Sequence, residues 1–242
     1  MAQSYFIWKG IDCRAMGVKL QGPVAIVRPE ERVEHITIPG RSGDMTQLEG
    51  DPEEDELIFN SYIQTVTIMV QGWSRVREVY KWLRGAGYVT FHGEPDRRQK
   101  ARIIGEVTLT KHSRNLDWWV GEVQFYCQPL KEKLTDDKAT LSAAGNVDAE
   151  GDVTAKPLFL VTMSSGATGF WIACGGKRLD VSGITSGVVL IDSEVQEVQY
   201  AEGMGLLTAY SEGEFPVLKP GTNALTGENW SSVVITKRER FL

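Results

Sequence analysis

Apolar positions along this chain recur in short alternating runs separated by turn residues, the pattern of a β-rich protein. Val24–Val27 and Val33–Ile38 read as two early strands; the second places Val33, His35 and Thr37 on one face and Glu34, Ile36 and Ile38 on the other. Pro39 to Asp44 then interrupts the ladder, because Pro lacks an N–H and Gly allows positive φ. Further strand regions are expected at 59–70, 88–91, 101–109 and 118–127, the last with Trp119, Gly121, Val123 and Phe125 on one face. One helical period stands among them. From Ser74 to Gly85, Val76, Val79, Leu83 and either Tyr80 or Trp82 fall on one stripe, with a hydroxyl at the N-cap position and Gly just past the end. Arg75 and Arg77 oppose the helix dipole, so packing against a sheet has to hold this helix.

Residues 135–156, rich in Asp, Ala, Gly, Ser and Thr, read as a loop-rich connector with at most an edge strand. A second β unit is expected to open at Pro157–Val161 and to continue through 169–174, 187–192, 195–200 and 230–236. The expected organisation is therefore mainly β: an N-terminal domain at 1–133, a connector at 134–156 and a C-terminal β-sandwich at 157–242, whose last strand is free to return to the first domain.

Composition narrows the function. The chain has 242 residues, 42% hydrophobic and 24% charged, enough for a sizeable core. A net charge of -6 gives no global attraction to DNA phosphates or anionic membrane. The basic runs at 97–102 and 237–240 read as solvated turns or strand ends, and the acidic run Asp51–Glu56 as a solvated loop or arm. Cys13, Cys127 and Cys174 are scattered and form no CxxC pair, which fits a reducing compartment and argues against a zinc site. The N-terminus is not of secretory type, and no apolar run approaches the ~18–20 residues that span a bilayer. Synthesis in the cytoplasm and no membrane insertion are expected.

Candidate chemistry is sparse. No HExxH, GxSxG, P-loop or dinucleotide-binding glycine pattern occurs, so no catalytic residue, metal ligand or cofactor is expected. His35, His92 and His112 lie on a strand or beside turns. Asp192 and Glu194 would share a face of a strand and suggest a glycosidase pair, but Asp192-Ser193-Glu194 reads better as a turn between two strands, with Asp and Ser satisfying backbone groups. Trp171 and Trp230 are candidate platforms for sugar stacking, with core packing the favoured role for both.

Several landmarks, taken in order, resemble the phage distal tail protein family, often called Dit. They are Phe6-Ile7-Trp8-Lys9-Gly10 with Met16-Gly17-Val18; Ile36-Thr37-Ile38-Pro39-Gly40-Arg41-Ser42-Gly43, the most specific; Lys81-Trp82-Leu83 followed by Gly87–Phe91 and Glu94-Pro95-Asp96; and Phe125–Pro129. The second half agrees through Val189–Glu194 and Gly213–Asn223. The order spans nearly the whole chain, and the acidic Asp51–Glu56 stretch departs from the pattern.

This resemblance implies a virion structural protein of the tail tip or baseplate, forming a homohexameric ring that joins the tail tube protein to tip proteins, tail-associated lysin and receptor-binding proteins. It implies an N-terminal β-sandwich with one helix and a long hairpin arm that builds the ring, and a galectin-like or carbohydrate-binding-module-like C-terminal sandwich. DNA would pass the lumen without specific binding, and assembly would take place in the host bacterial cytoplasm. Pro39, Gly40, Arg41, Ser42, Gly43 and Asp44 become the ring-interface candidates. The alternatives are a carbohydrate-binding adhesion module and, behind it, a glycosidase.

Overall fold

The computed structural model describes residues 4–51, 56–112, 117–184, 187–201, 205–207 and 210–242. Two compact units are present, one formed by residues 1–50, 57–134 and 242, the other by 51–56 and 135–241.

In chain order the first unit's strands begin with β1 (Phe6–Trp8), β2 (Ile11–Asp12), β3 (Val18–Leu20), β4 (Val33–Thr37) and β5 (Asp44–Leu48). The short β6 (Gly50–Asp51) and β7 (Glu56–Leu57) flank the centre of the acidic run, residues 52–55, which lies outside the described residues. Then come β8 (Tyr62–Gln71), the helix α1 (Trp73–Trp82), β9 (Ala86–Phe91), β10 (Arg97–Ile104), β11 (Leu109–Lys111) and β12 (Trp118–Lys133).

The main sheet has the order β2-β1-β9-β10-β12-β8-β3, with β11 beside the start of β12. Strict alternation on β12 sends Val123, Phe125 and Cys127 inward. Phe125 packs edge-on against Phe6, Trp8 and Phe91, with ring centroids 5.4, 5.5 and 5.7 Å away. The helix covers this core through Val76, Val79 and Trp82, and the Trp82 ring stacks on Phe6 at 5.6 Å while its indole N–H donates to Trp8 O. Burying each of these large side chains contributes roughly 1.5–3 kcal/mol, which offsets the unfavourable cations in the first turn.

Three expectations change here. The helix starts at Trp73 with Gly72 at its N-cap and no side-chain cap bond, so Ser74 does not cap it. Val24–Val27 is irregular rather than a strand: Val24 is buried but Ile26 is 63% exposed, and Pro23 and Pro29 withhold N–H groups at its ends. The basic run at 97–102 is not a solvated turn but most of β10, with Gln99 and Ala101 facing inward; the expected 101–109 strand breaks at Gly105, whose φ is 68°.

The second unit continues with β13 (Lys138–Leu141), β14 (Gly145–Ala149), β15 (Leu158–Met163), β16 (Gly169–Cys174), β17 (Lys177–Ser182), β18 (Val188–Asp192) and β19 (Glu197–Tyr200). It ends with β20 (Ser211–Gly213), β21 (Gly221–Glu228), β22 (Trp230–Thr236) and β23 (Arg240–Phe241). Two five-stranded sheets, β13-β22-β15-β18-β19 and β14-β21-β16-β17-β20, enclose one core that includes Phe159, Val161, Ile172, Leu179, Ile191, Leu225 and Ile235. The segment expected as a connector thus carries β13 and β14, which edge the two sheets by pairing with β22 and β21. No helix among the described residues is long and apolar enough to cross a membrane.

Candidate functional site

The first candidate surface is the β4–β5 hairpin. Its register runs from Val33↔Leu48 to Thr37↔Asp44, and the Thr37 hydroxyl donates to Asp44 Oδ1 at 2.8 Å. The turn at 38–43 holds Gly40 and Gly43 at φ 81° and 83°, values that favour glycine. At its base the hairpin is tied down by main-chain bonds: Arg32 N to Ile58 O, Glu49 N to Arg32 O and Asn60 N to Glu30 O. No residue of β4 is buried, Met45 is 43% exposed, and Pro39, Gly40, Arg41, Ser42, Gly43 and Asp44 are all exposed. A two-stranded ribbon without a buried face is marginal in water. The structure therefore brings the six tip residues together on an exposed projection.

The acidic turn in the second unit closes as expected, with Asp192 and Ser193 bonded to backbone groups, and it also carries an ion pair that the sequence did not announce. Asp192 Oδ1 accepts the N–H groups of Glu194 and Val195, which closes the turn. The same carboxylate takes two bonds from the Arg238 guanidinium, at 2.7 and 3.0 Å. Glu194 lies 3.6 Å from Arg238 and 3.5 Å from Arg240. Burial pushes the Asp192 carboxyl up, but the Arg238 hydrogen bonds and the two backbone donors outweigh it and hold the group below the usual carboxylate value. Asp192 is mostly covered while Glu194 stays 47% exposed, and Arg238 and Arg240 of the 237–240 run are drawn onto this turn rather than left as a solvated strand end.

Trp171 and Trp230 are not brought together as a platform. Trp230 belongs to the core at 8% exposure. Trp171 is half-buried, and its ring is covered by the Arg178 guanidinium at 4.1 Å, itself held by Asp180. His35 meets Thr46 at 3.3 Å and His92 meets Ser4 at 3.4 Å, each a local polar contact. The three cysteines are buried and free. Burial pushes the Cys127 thiol up to about 12 and the Cys174 thiol up to about 11, the reverse of what a nucleophile needs. Asp137, Glu150 and Glu239 bring carboxylate oxygens within 4.8 Å of one another, with the Lys237 ammonium 3.7 Å from Glu239 as counter-charge.

Two hollows went unmarked in the sequence. One, of about 540 Å³, lies over Ala86, Tyr88, Lys100, Arg102 and Tyr126 on the outer face of the main sheet. The other, of about 370 Å³, is lined by residues from 156 to 217 in the second unit. Both are assembled from distant segments, so no local pattern announces them.

No family model matches the sequence, and no curated protein matches it. Among solved structures, the chain is similar to the Dit protein (gp 19.1) of phage SPP1, described as a paradigm of the hub adsorption apparatus in phages that infect Gram-positive bacteria. The TM-score is 0.73 at 20% identity, with 100% of each chain covered, and the two share one fold. A chain of the phage P2 baseplate, in its activated conformation with Ca, aligns over 99% of both chains at 8% identity and a TM-score of 0.47, which adds nothing to that assignment.

Proposed function

We propose that this chain is a structural hub protein at the tail tip of a long-tailed phage, assembling as a homohexameric ring between the tail tube protein and the tip and receptor-binding proteins. The observation that carries the reading is the shared fold over the full length of both chains with a phage hub protein. In this reading the protein works in the virion tail after assembly in the host cytoplasm, and it has no catalytic role.

The bare hairpin supports the same reading. Pro39 to Asp44 tip a ribbon whose first strand has no buried residue, and a neighbouring subunit would supply cover. A ring closes only through heterologous contacts, in which a projection of one copy meets a different surface of the next. DNA passes such a ring without specific binding, consistent with a chain of net charge -6. The adhesion-module alternative draws less support, because Arg178 occupies the ring face of Trp171 and Trp230 is core. Mass measurement in solution together with particle images tests the proposal. A six-fold ring is the expected result, and a monomer at all concentrations defeats it.

A further inference from the structure

The first 134 residues keep their charges apart. Residues 33–57, the hairpin and the acidic run, hold eight carboxylates and one arginine, a net charge of -7. The other residues up to 134 hold 17 basic and 10 acidic side chains, a net charge of +7. Opposite charges of this size on arm and body attract, and they favour correct pairings over wrong ones. Within one copy the hairpin is not laid onto the body, since none of residues 33–37 or 44–47 is buried. Its partner is therefore sought on the body of another copy.

The hollow of about 540 Å³ on the outer face of the main sheet has the matching chemistry. Register puts Ala86, Arg102, Tyr126 and Ile63 in one row across β9, β10, β12 and β8. Tyr126 and Ile63 are 40% and 53% exposed. Ala86 and Gly87 add little bulk beside Tyr88 and Tyr126, which leaves the hollow between strands of the sheet. Lys100 and Arg102 also line it, both exposed and neither in an ion pair with another described residue. No carboxylate lines it, and Glu132, further along β12, is engaged by Arg98 at 3.5 Å. The ribbon carries the complement. Ile36 lies opposite Met45, Ile38 follows on the Ile36 face, and Glu34 precedes it there. Ile38 and Met45 are 36% and 43% exposed, and Asp44 stands beside the turn. An apolar centre with a charged rim is the usual build of a protein interface, and tyrosine and arginine are its frequent anchors.

We infer that this hollow receives the β4–β5 hairpin of a second copy, with Ile36, Ile38 and Met45 over Tyr88 and Tyr126, and Glu34 and Asp44 toward Lys100 and Arg102. The inference rests on the ring proposed above and names the surface that takes the arm. Assembly of the full chain is followed by mass in solution over a concentration series, with melting temperature in parallel. The parent's assembly should weaken several-fold at about 0.5 M salt. Lys100→Glu with Arg102→Glu should raise the concentration needed for assembly by about tenfold or more, and so should Glu34→Lys with Asp44→Lys. Combining all four changes in one chain should restore much of the loss, which a folding defect would not do. In an otherwise unaltered chain, Met45→Cys with Tyr126→Cys should link copies to one another on mild oxidation, since Cys13, Cys127 and Cys174 are buried. A parent that never assembles removes the ring and this inference together. Where the parent does assemble, three results overturn the docking surface alone: undiminished assembly in the charge variants, no recovery when they are combined, or a cysteine pair that links only within one chain.

Discussion

Replacing Asp192 tests whether the turn after β18 is a clamp or an ornament. Its carboxylate accepts two bonds from Arg238 and two from backbone N–H groups, at 2.7, 3.0, 2.9 and 3.4 Å. Buried bonds to a charged group contribute about 1.5–3 kcal/mol, while exposed ion pairs contribute about 0.2–1. The Asp192 and Arg238 side chains are 18% and 22% exposed, so solvent screens part of the attraction and the pair falls between these limits. Asp192→Ala removes the pair and the turn closure and should cost about 2 kcal/mol; Asp192→Asn keeps an acceptor for the turn and should cost about 1 kcal/mol. Each kcal/mol corresponds to about 4 °C in melting temperature for a unit of this size. The assay is urea unfolding followed through a probe in the second unit, because two units need not unfold together. The pH dependence follows from the depressed folded-state value. The carboxylate's contribution is fully present above its unfolded value of about 4 and is lost as pH falls through the lower folded value. The gap between parent and Asp192→Asn should therefore close in acid. Loss of less than about 0.5 kcal/mol in both variants at pH 7, the level of an ordinary surface change, would refute the clamp.

Other outcomes follow from the same geometry. Deleting Ser42 to Asp55 should leave a folded chain that no longer assembles, read by circular dichroism and mass in solution; an unchanged assembly rules out the arm as the contact. Brief trypsin treatment of the unassembled chain should cut first after Arg41, in the exposed turn, whereas an initial cut inside 138–149 would contradict the pairing of β13 and β14. Phe125→Ala removes a ring that meets three others and should cost about 3–5 kcal/mol, enough to unfold the first unit, measured by near-UV dichroism. Asp192→Asn with Glu194→Gln should leave glycan hydrolysis at the parent's background, since a true general acid or nucleophile is worth about 10²-fold or more.

Strands with several large inward residues were legible from alternation alone: Val123, Phe125 and Cys127 on β12, or Phe170, Ile172 and Cys174 on β16. The strands that escaped have few. On β14 only Val147 and Ala149 face the core, and on β21 an inward Asn223 breaks the apolar run, so pairing with neighbours decides their state rather than local propensity. The helix was visible from its stripe, but its start was set by the Gly72 turn rather than by the Ser74 hydroxyl. The hairpin turn at Pro39–Gly43 was readable because Pro and Gly act through the backbone itself. The charge clamp was not, since Asp192 and Arg238 meet only through the fold, far apart in the chain.

The pairing of β13 with β22 constrains the order in which the protein can form. Lys138 lies opposite Thr236 and Leu141 opposite Val233, so a strand that opens the second unit waits for one near the end of the sequence. The main sheet's path from β2 to β3 needs nothing beyond Lys133. During synthesis, the seven strands of that path can therefore pair while the second unit still lacks a partner for β13 and exposes unpaired strand edges. Long-range closure of this kind is slow and open to aggregation. Chains that stop short of β22 should accumulate with the seven strands of that path paired and a sticky, incomplete tail, and slower or cooler production should raise the yield of whole molecules.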